Sequence, residues 1–409
     1  MAFVAVLGYG VVGSGAVKAL TDNAEIIKQR VGEPIIVKRI LDLRDFTDDP
    51  LAAKFTKLFE DIENDSEICA VAEAFGGLEP AYSFTKRLLL KGKSVVTSNK
   101  ELVASHGAEL LAIAHANGAN YMFEGSVCGG IPLIRTITTS LTADRVLSVA
   151  GIMNGTTNYI LTQMANGGDY AAALAEAQDL GYAERDPSDD VHAKDPCRKL
   201  AILLSLFTGK LVDYNNIHTE GITHLTADDI LYAKELSGLI KLVAYADLAI
   251  PSGAVSARVT PAIVSTGHPL FSVNGVFNAV YLNCDITGEV MLYGRGAGKL
   301  PTGGAVAADL IDAVKMRNHP ATPVWNDAAM PIQPAGQMML QKLIRVGYTD
   351  KIAAADLIQA NFNVERFVEI GKAGEIGFVT KTMPAADIDA GISTLNTAGH
   401  KILNQIVVI

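Results

Sequence analysis

The chain has 409 residues, enough for two or three domains, and its 49% hydrophobic content with only 6% aromatic residues is typical of an α/β enzyme. A net charge of -10 disfavours nucleic acid as a partner, and the sequence has no uncharged apolar stretch long enough to span a membrane. Four scattered cysteines without C-x-x-C spacing indicate reduced thiols in a cytoplasmic protein and disfavour a zinc site.

The chain begins with a glycine motif between a predicted strand and a predicted helix. Apolar residues precede Gly8 and helical spacing follows Gly13, so this segment predicts folded structure and not a signal peptide. In a G-x-G-x-x-G motif the glycines permit a tight turn, close approach of a pyrophosphate and close packing of helix on strand. The phosphate then binds at the helix N-terminus. The predicted dinucleotide contacts here are Gly8, Tyr9, Gly10, Val11, Val12 and Gly13.

The end of the second predicted strand, PIIVKRILDL, bears on which dinucleotide binds. Asp42 would bind the ribose 2′-hydroxyl of NAD, whereas Arg44 would accept the 2′-phosphate of NADP. Both residue types are present, and the position of Arg44 just past the strand favours NADP. The alternative is that both are ordinary exposed charges at the end of a strand.

Strand and helix signals alternate through residues 1–130, which predicts a Rossmann-type, doubly wound sheet. Ligands of such sheets bind at the C-terminal ends of the strands. Ser98 and Lys100 directly follow the strand-like run KSVVT, so both are predicted to contact the cofactor. For Lys100 the alternative is a solvated loop lysine.

Residues 131–299 predict an α+β substrate domain, because they contain strand-like runs rich in β-branched residues. A sheet of this kind often forms a dimer interface. The run LTADDILYAKELSGLIKLVAYADLA predicts a long amphipathic helix that begins with a variant capping box of Thr226 and Asp229.

The remaining sequence predicts a return to the first domain and then a separate C-terminal unit. A glycine-rich turn with Gly296 and Gly298, both predicted cofactor contacts, precedes a helix at about 300–318 that would complete the first domain and close the cofactor cleft. A proline-rich boundary follows at 320–338. Residues 336–409 then show the β-α-β-β-α-β order of a ferredoxin-like unit.

The stretch AQDLGYAERDPSDDVHAKDPCRK, residues 177–199, combines carboxylates, a lysine, an Asp-Pro turn at 186 and 187, and a second Asp-Pro pair at 195 and 196. The apolar run KLAILLSLF predicts a buried helix with Lys199 at its mouth. A cleft of carboxylates and a lysine suits a small zwitterionic substrate and proton transfer. The residues alone leave two alternatives: an ordinary acidic turn before a helix, with Asp195 and Lys199 as a surface pair, or a divalent-metal site.

Several motifs together resemble the homoserine dehydrogenase family along the whole chain. They are LGYGVVGSG at the start, TSNK at 97–100, EGSVCGGIPLI at 124–134, GIMNGTTNYIL at 151–161, the 177–199 stretch and GRGAGKLPT at 294–302. The 177–199 stretch departs from the family pattern at Ala193, where glycine is usual. The resemblance implies a Rossmann-type domain, an α+β catalytic and dimerisation domain, and an ACT-type C-terminal unit.

The resemblance implies reversible hydride transfer between NAD(P)H and L-aspartate 4-semialdehyde, which gives L-homoserine on the route to threonine, methionine and isoleucine. Lys199 resembles the general acid/base at the substrate oxygen, Lys100 its partner near the nicotinamide, and Asp195 the residue that orients lysine and substrate. An ammonium suits this reaction because hydride addition to an aldehyde builds alkoxide charge. The implied substrate contacts are Glu184, Asp190, Tyr182, Gly155 and Thr156.

The family also binds a monovalent cation, usually sodium, through backbone carbonyls, which align with Glu124, Val127, Gly129 and Ile131. Cys128 in this loop invites interpretation as a thiol nucleophile, but no adjacent base is evident in the sequence. In the C-terminal unit, the loop GYTDKIAAAD lacks the Pro-Gly that approaches the effector in ACT domains, which disfavours inhibition by threonine. The unit would then serve in assembly or be degenerate.

Two other functions compete with this reading: a dehydrogenase of another four-carbon or hydroxy-acid substrate, and an inactive nucleotide-binding regulator. An inactive regulator predicts loss of a cleft lysine or carboxylate, whereas all five of these residues are present: Lys100, Glu184, Asp190, Asp195 and Lys199. The expected partners are a small-molecule substrate and further copies of the chain in a homodimer or homotetramer, with no nucleic acid and no membrane.

Overall fold

The computed structural model describes residues 1–319 and 325–409, which divide into two compact units. Unit 1 comprises Met1–Arg145, Arg198–Tyr214 and Leu292–Met330, and unit 2 comprises Val146–Cys197, Asn215–Met291 and Pro331–Ile409. The first part of the proline-rich boundary predicted at 320–338 lies outside the described residues. Within those residues, no helix combines the length and apolar character that crossing a membrane requires.

The strands and helices follow the predicted alternation in the first part of the chain. The strands are β1 (Ala2–Leu7), β2 (Ile35–Leu41), β3 (Phe55–Thr56), β4 (Ile68–Glu73), β5 (Ser94–Thr97), β6 (Tyr121–Met122), β7 (Val146–Ile152), β8 (Lys210–Leu211), β9 (His218–Thr219), β10 (Gly238–Asp247), β11 (Ser256–Ser265), β12 (Phe277–Cys284), β13 (Glu289–Arg295), β14 (Asn326–Ala329), β15 (Met339–Leu340), β16 (Lys342–Gly347), β17 (Val364–Val368), β18 (Glu375–Thr380), β19 (Met383–Pro384) and β20 (Lys401–Val408). The helices are α1 (Val11–Asp22), α2 (Ala24–Val31), α3 (Glu60–Glu63), α4 (Ala81–Leu90), α5 (Lys100–Ala116), α6 (Leu133–Arg135), α7 (Gly155–Ala165), α8 (Tyr170–Asp179), α9 (Ser188–Val191), α10 (Lys194–Thr208), α11 (Ala227–Glu235), α12 (Lys299–Lys315), α13 (Lys351–Asn361) and α14 (Ala385–Thr397).

Unit 1 is built on a parallel sheet with the strand order β3-β2-β1-β4-β5-β6. This order is the one found in dinucleotide-binding doubly wound folds, so the predicted Rossmann-type sheet is confirmed. Helix α12 packs on α1, where a Cβ added to Gly303 would lie only 2.5 Å from the backbone carbon of Gly15. Val306 and Leu310 of α12 are buried in the same core as the strand residues Val4 and Val6.

Unit 2 contains a sheet with the strand order β12-β7-β10-β11-β20-β16-β18-β17. If β16, β17, β18 and β20 are numbered 1 to 4 along the chain, their order across the sheet is 4-1-3-2, and α13 and α14 join them, which is the ferredoxin-like arrangement. The C-terminal strand β20 pairs in parallel with β11, with Ala262 opposite Val407. The C-terminal strands therefore continue the central sheet of the unit.

The long helix predicted from LTADDILYAKELSGLIKLVAYADLA is wrong in its second half. The capping box of Thr226 and Asp229 is confirmed, but α11 ends at Glu235 and the rest forms strand β10. Ser237 has a φ of 53°, which interrupts the helix. A strand that is buried on both faces has a continuous apolar sequence, as a buried helix does. The periodicity of the sequence alone therefore does not distinguish the two.

Candidate active site

The glycine turn after β1 has the geometry that a bound pyrophosphate requires. Gly8 has a φ of 90°, which a side chain disfavours, and a Cβ at Gly13 would lie 1.9 Å from the carbonyl oxygen of Gly8. No heavy atom lies within 4 Å of the place where Gly10 would carry a Cβ. Helix α1 begins after Gly10 without a side-chain cap, so its first N–H groups are available to an anion.

Asp42 and Arg44, the predicted ribose-end residues, bind each other. The Asp42 carboxylate accepts hydrogen bonds from Nε and NH2 of Arg44 at 2.9 and 2.8 Å, and from the backbone N–H of Tyr9 at 2.8 Å. The hydrogen bonds from the Arg44 guanidinium lower the pKa of Asp42 to about 2. Asp42 is 9% exposed while the Arg44 side chain is 63% exposed, so the guanidinium is anchored by a buried carboxylate and presented outward.

A cavity of about 440 Å³ adjoins this turn. Gly8, Gly10, Asp42, Arg44 and Lys57 contribute polar or open surface to it, and most of the remaining lining is apolar and includes Phe59, Phe75 and Phe84. Its volume lies within the range of small-molecule sites. A glycine turn without Cβ obstruction beside a partly apolar cavity fits the adenosine end of a dinucleotide.

A buried carboxyl group at the C-terminal end of β4 was missed by sequence reasoning. Glu73 accepts hydrogen bonds from the backbone N–H of Phe75 at 2.6 Å and from Oγ1 of Thr97 at 2.5 Å. Thr97 Oγ1 also accepts from the N–H of Asn99, whose side chain caps α5 at the N–H of Leu102. Burial raises the pKa of Glu73 to about 7. This chain of hydrogen bonds fixes the segment that contains Ser98 and leads into Lys100.

The two predicted lysines both lie on helices. Lys100 is the first residue of α5 and is half-buried, so it does not lie on a solvated loop. Lys199 lies in α10, the helix predicted to be buried, and is only 8% exposed. Asp195, one helical turn before Lys199, is 3% exposed. An ordinary surface ion pair between these two residues is therefore excluded.

Asn154 joins two of the predicted carboxylates in unit 2. Its Nδ2 group donates to Asp190 at 2.6 Å and to Asp195 at 2.9 Å. Its Oδ1 atom accepts from the backbone N–H of Thr157 at 2.8 Å and so caps α7. The motif GIMNGTTNYIL contains this residue, but only Gly155 and Thr156 of the motif were predicted to be contacts. Asn before a helical run is an N-cap signal that could have identified it.

Three other predicted substrate contacts, Gly155, Thr156 and Tyr182, lie around the same turn. Thr156 donates its hydroxyl to the carbonyl of Tyr182 at 2.7 Å, and a Cβ at Gly155 would lie 3.0 Å from the carbonyl oxygen of Val276. The Glu184 side chain is exposed. Within residues 1–319 and 325–409, no three His, Cys, Asp or Glu side chains are grouped to hold a metal ion.

The loop predicted to hold a monovalent cation is buried except at Gly130. Both Glu124 carboxylate oxygens accept backbone N–H groups, from Ile134 at 2.9 Å and from Arg135 at 2.6 Å, so this side chain fixes the start of α6. The other predicted carbonyl contributors, Val127, Gly129 and Ile131, are also buried.

The glycines predicted near the cofactor cleft lie just before α12. Gly296 is buried, and Gly298 has a φ of 124° at the N-terminal boundary of this helix. A conformation of that kind disfavours a side chain, which accounts for glycine at this boundary.

The departure at Ala193 has a structural consequence. Ala193 is completely buried and has a φ of 62°, a left-handed conformation that costs about 1–2 kcal/mol for a residue with a Cβ. We predict that Ala193→Gly raises the free energy of unfolding by up to about 1 kcal/mol, because part of the relief is offset by the greater unfolded-state entropy of glycine. Thermal unfolding checks this. Ala201→Gly within α10 is the control and should destabilise, so equal losses in both variants would contradict the strain.

We predict a second effect at Asn154. Asn154→Ala should lower kcat/KM about a hundredfold and the free energy of unfolding by about 1–2 kcal/mol, because both the amide donor to two carboxylates and the helix cap are lost. Asn154→Ser keeps an acceptor for the cap but has no amide donor. It should recover most of the stability and little of the activity in steady-state assays. Recovery of activity together with stability would mean that Asn154 acts only as a cap.

Comparison with known proteins agrees with this geometry. A family profile described as homoserine dehydrogenase matches residues 132–311, and one described as its NAD binding domain matches residues 8–124. The homoserine dehydrogenase of Mycobacterium bovis is 39% identical over 385 residues, covering 92% of this chain and 87% of the relative, and that of Bacillus subtilis is 35% identical over 413 residues, with 96% and 94% covered. A crystal structure of a homoserine dehydrogenase from Thiobacillus denitrificans superimposes with a TM-score of 0.93 at 33% identity, covering 100% of this chain and 98% of that one. A hyperthermophilic archaeal homoserine dehydrogenase in complex with NADPH gives a TM-score of 0.65 at 26% identity, with 76% and 97% covered. The chain therefore belongs to the homoserine dehydrogenase family.

Proposed function

We propose that the chain catalyses the reversible NAD(P)H-dependent interconversion of L-aspartate 4-semialdehyde and L-homoserine, using the site residues described above. The observation that carries these assignments is that one amide donates to both Asp190 and Asp195, and that Asp195 lies on the helix that also bears Lys199. Membership of the family supports the reaction, and the half-buried Asp190 beside the buried Asp195 supports recognition of a substrate with an ammonium group.

The cofactor residues follow from the glycine turn. The N–H groups at the start of α1 bind the pyrophosphate, and Gly10 leaves room for it. Ser98 and Lys100 lie past the end of β5, and Gly296 and Gly298 precede α12. When bound, the nicotinamide supplies or accepts the hydride.

The chain's own residues then bind the substrate and move the proton. Asp190 and Glu184 bind the substrate ammonium, Gly155 and Thr156 contact substrate at the start of α7, and Tyr182 borders the site. Lys199 donates a proton to the carbonyl oxygen as it gains negative charge, and it accepts the hydroxyl proton in the reverse direction. Asp195 orients Lys199 from one helical turn away, and Lys100 adds positive charge near the reacting carbon.

The test of this proposal is the appearance of reduced-cofactor absorbance with L-homoserine, measured separately with NAD and NADP. L-Homoserine should be turned over, and L-serine and L-malate at equal concentration should give little or no signal. Preference for a comparator would favour a dehydrogenase of another hydroxy acid. Cofactor binding without turnover of any of the three would favour an inactive regulator.

We propose NADP as the preferred cofactor. Two observations support this proposal. The Asp42 carboxylate already accepts hydrogen bonds from Arg44 and from the Tyr9 N–H. Arg44 is anchored by that carboxylate and exposed beside a cavity that Lys57 also lines. A 2′-phosphate would bind bidentately to such a guanidinium.

We therefore predict that Arg44→Ala lowers the ratio of kcat/KM for NADP to that for NAD about tenfold to a hundredfold. The variant loses a charged hydrogen-bond donor to phosphate, and it also releases Asp42 to accept ribose hydroxyls. Steady-state kinetics with both cofactors check this. Arg30→Ala, which removes an exposed arginine from α2, should leave the ratio unchanged. An unchanged ratio in Arg44→Ala would refute the assignment.

Four further assignments accompany the reaction: a bound cation, an oligomeric state, a cellular location and the domain bounds. We propose a sodium ion on backbone carbonyls of the loop 124–131, since hard cations prefer oxygen ligands. A homodimer or homotetramer is supported by exposed apolar side chains such as Ile286 and Met291, and a cytoplasmic location by four cysteines that form no disulfide. The proposed domains are 1–130 with about 300–318, 131–299, and 336–409, the last supported as an ACT-like unit by its ferredoxin-like strand order.

A further inference from the structure

A second cavity, of about 350 Å³, lies within unit 2 against β9, β11, β16, β20 and α14. Arg258 and Thr260 of β11 line it, together with Lys342 of β16 and Gln405 of β20. These side chains share one face of the sheet, because alternate residues of a strand point to the same side and Lys342 is paired with Val407, two residues beyond Gln405. None of these residues belongs to the site assigned to hydride transfer.

Arg258 is the unusual member of this set. It is 7% exposed, and its guanidinium stacks on the ring of Tyr245 at 4.4 Å. Among the described residues it forms no side-chain hydrogen bond and no ion pair, although burial of an unpaired guanidinium is costly. Burial lowers the pKa of Arg258, and nothing but the Tyr245 hydroxyl opposes that effect. A buried cation without an anionic partner therefore borders this cavity.

Lys342 brings a second positive charge to the same space. Its Nζ donates to Oε1 of Gln405 at 2.9 Å, which is a neutral partner. Burial lowers the pKa of Lys342, and the positive charge of Arg258 acts in the same direction, so the two cations are close enough to repel each other. An anion between them would relieve both the repulsion and the cost of burial.

The acidic groups around the cavity limit which anion fits. Asp389 on α14 is exposed, and Glu220 is half-buried and bound to Nε2 of His224 at 3.1 Å. Both carboxylates oppose the lowering of the Lys342 pKa, yet neither forms an ion pair with Lys342 or Arg258 in the described chain. Negative charge near the cavity disfavours a multiply charged anion and tolerates a single carboxylate, which a guanidinium can bind with two hydrogen bonds.

From this geometry we infer that the cavity is a binding site for a small monocarboxylate, held by Arg258 and Lys342 and closed on one side by Thr260 and Gln405. None of its lining residues lines the dinucleotide cavity or belongs to the Asn154 cluster. Because β11 and β20 are adjacent strands of the central sheet, an anion here would bridge the C-terminal strands to the rest of unit 2.

The test is thermal unfolding of the full chain with sodium acetate or sodium phosphate as the probe, with the sodium concentration held constant by sodium chloride. The midpoint should rise with acetate in a saturable manner and by less with phosphate, because a ligand that binds only the folded state stabilises it. In Arg258→Met the apparent affinity for acetate should fall about tenfold to a hundredfold. The same variant should be at least as stable as the parent without acetate, since it no longer buries an unpaired charge.

Two further variants keep the inference testable. Lys342→Met should also weaken the acetate effect, and it serves if Arg258→Met does not fold. Arg366→Met removes an exposed arginine on β17 and should leave the effect unchanged. Equal acetate shifts in the parent and in the Arg258 and Lys342 variants, or no shift in the parent, would overturn the site. A larger shift with phosphate would overturn its assignment to a monocarboxylate.

Discussion

Replacing Lys199 by alanine should lower kcat for L-homoserine oxidation by about a thousandfold or more. The residue is proposed to exchange the proton at the reacting oxygen, and general acid–base catalysis by a positioned side chain contributes about a hundredfold to ten thousandfold. Loss of the ammonium also removes positive charge where alkoxide charge develops, which places the expected effect in the upper part of that range. Steady-state rates in both directions measure the change.

A second substitution at this position separates charge from proton transfer. Lys199→Arg keeps a cation, but a guanidinium does not release its proton near neutral pH, so it should recover little activity. Lys194→Ala is the matched control, because Lys194 lies on the same helix and is exposed. Cofactor binding, followed by fluorescence titration, should be retained in all three variants. An active Lys199→Ala enzyme that still folds and binds cofactor would move the acid/base role to another residue.

The sequence predicted the Rossmann-type sheet well because its signals are local. A strand, a glycine turn and a helix follow one another within the first 22 residues, and each is specified by neighbours in the chain. The C-terminal unit was equally readable, since its strands and helices alternate with clear turns. Both predictions depend on short-range periodicity, and both are confirmed at the level of secondary structure.

Features that depend on contacts between distant segments could not be read in the same way. Strand β10 looked helical because it is apolar and largely buried on both faces, and its strand conformation depends on pairing with β7 and β11, which lie elsewhere in the chain. The buried network in which Arg345 binds Asp229 at 2.6 Å and Glu375 at 3.1 Å joins residues more than a hundred positions apart for the first pair. Nothing local marks such partners.

The site residues show the same difference between local sequence signals and contacts between distant segments. Carboxylates and lysines were identifiable from motifs, whereas the residue that joins two of them, Asn154, is 36 and 41 positions away from its partners. Ala193 shows the reverse: a departure visible in sequence acquires its meaning only from a φ of 62°. Motifs in the sequence therefore indicate the chemical roles of the site residues, whereas only three-dimensional contacts show which residues hold them in place.

Glu73 should make the stability of the protein fall as the pH rises from about 4.5 to 7. Burial raises the pKa of this carboxyl to about 7 from its ordinary value of 4.5, so over this interval the folded state binds a proton that the unfolded state has released. The stabilisation is complete below the unfolded-state pKa and is lost as the pH passes the folded-state pKa. A shift of this size corresponds to on the order of 3 kcal/mol.

Glu73→Gln isolates this contribution. The amide stays neutral at every pH and can still accept from the N–H of Phe75, so the parent-minus-variant difference in urea unfolding free energy should decline across the interval and level off above it. Glu63 provides a control of opposite sign, because its bond to Arg87 lowers its pKa. Its contribution should therefore be present above the unfolded-state pKa and lost on acidification. A parent-minus-variant difference for Glu73 that is constant with pH would mean that the carboxyl is ionised in the folded protein. The hydrogen bonds from Thr97 and Phe75 would then outweigh its burial, and the segment leading to Lys100 would be held by a charged group.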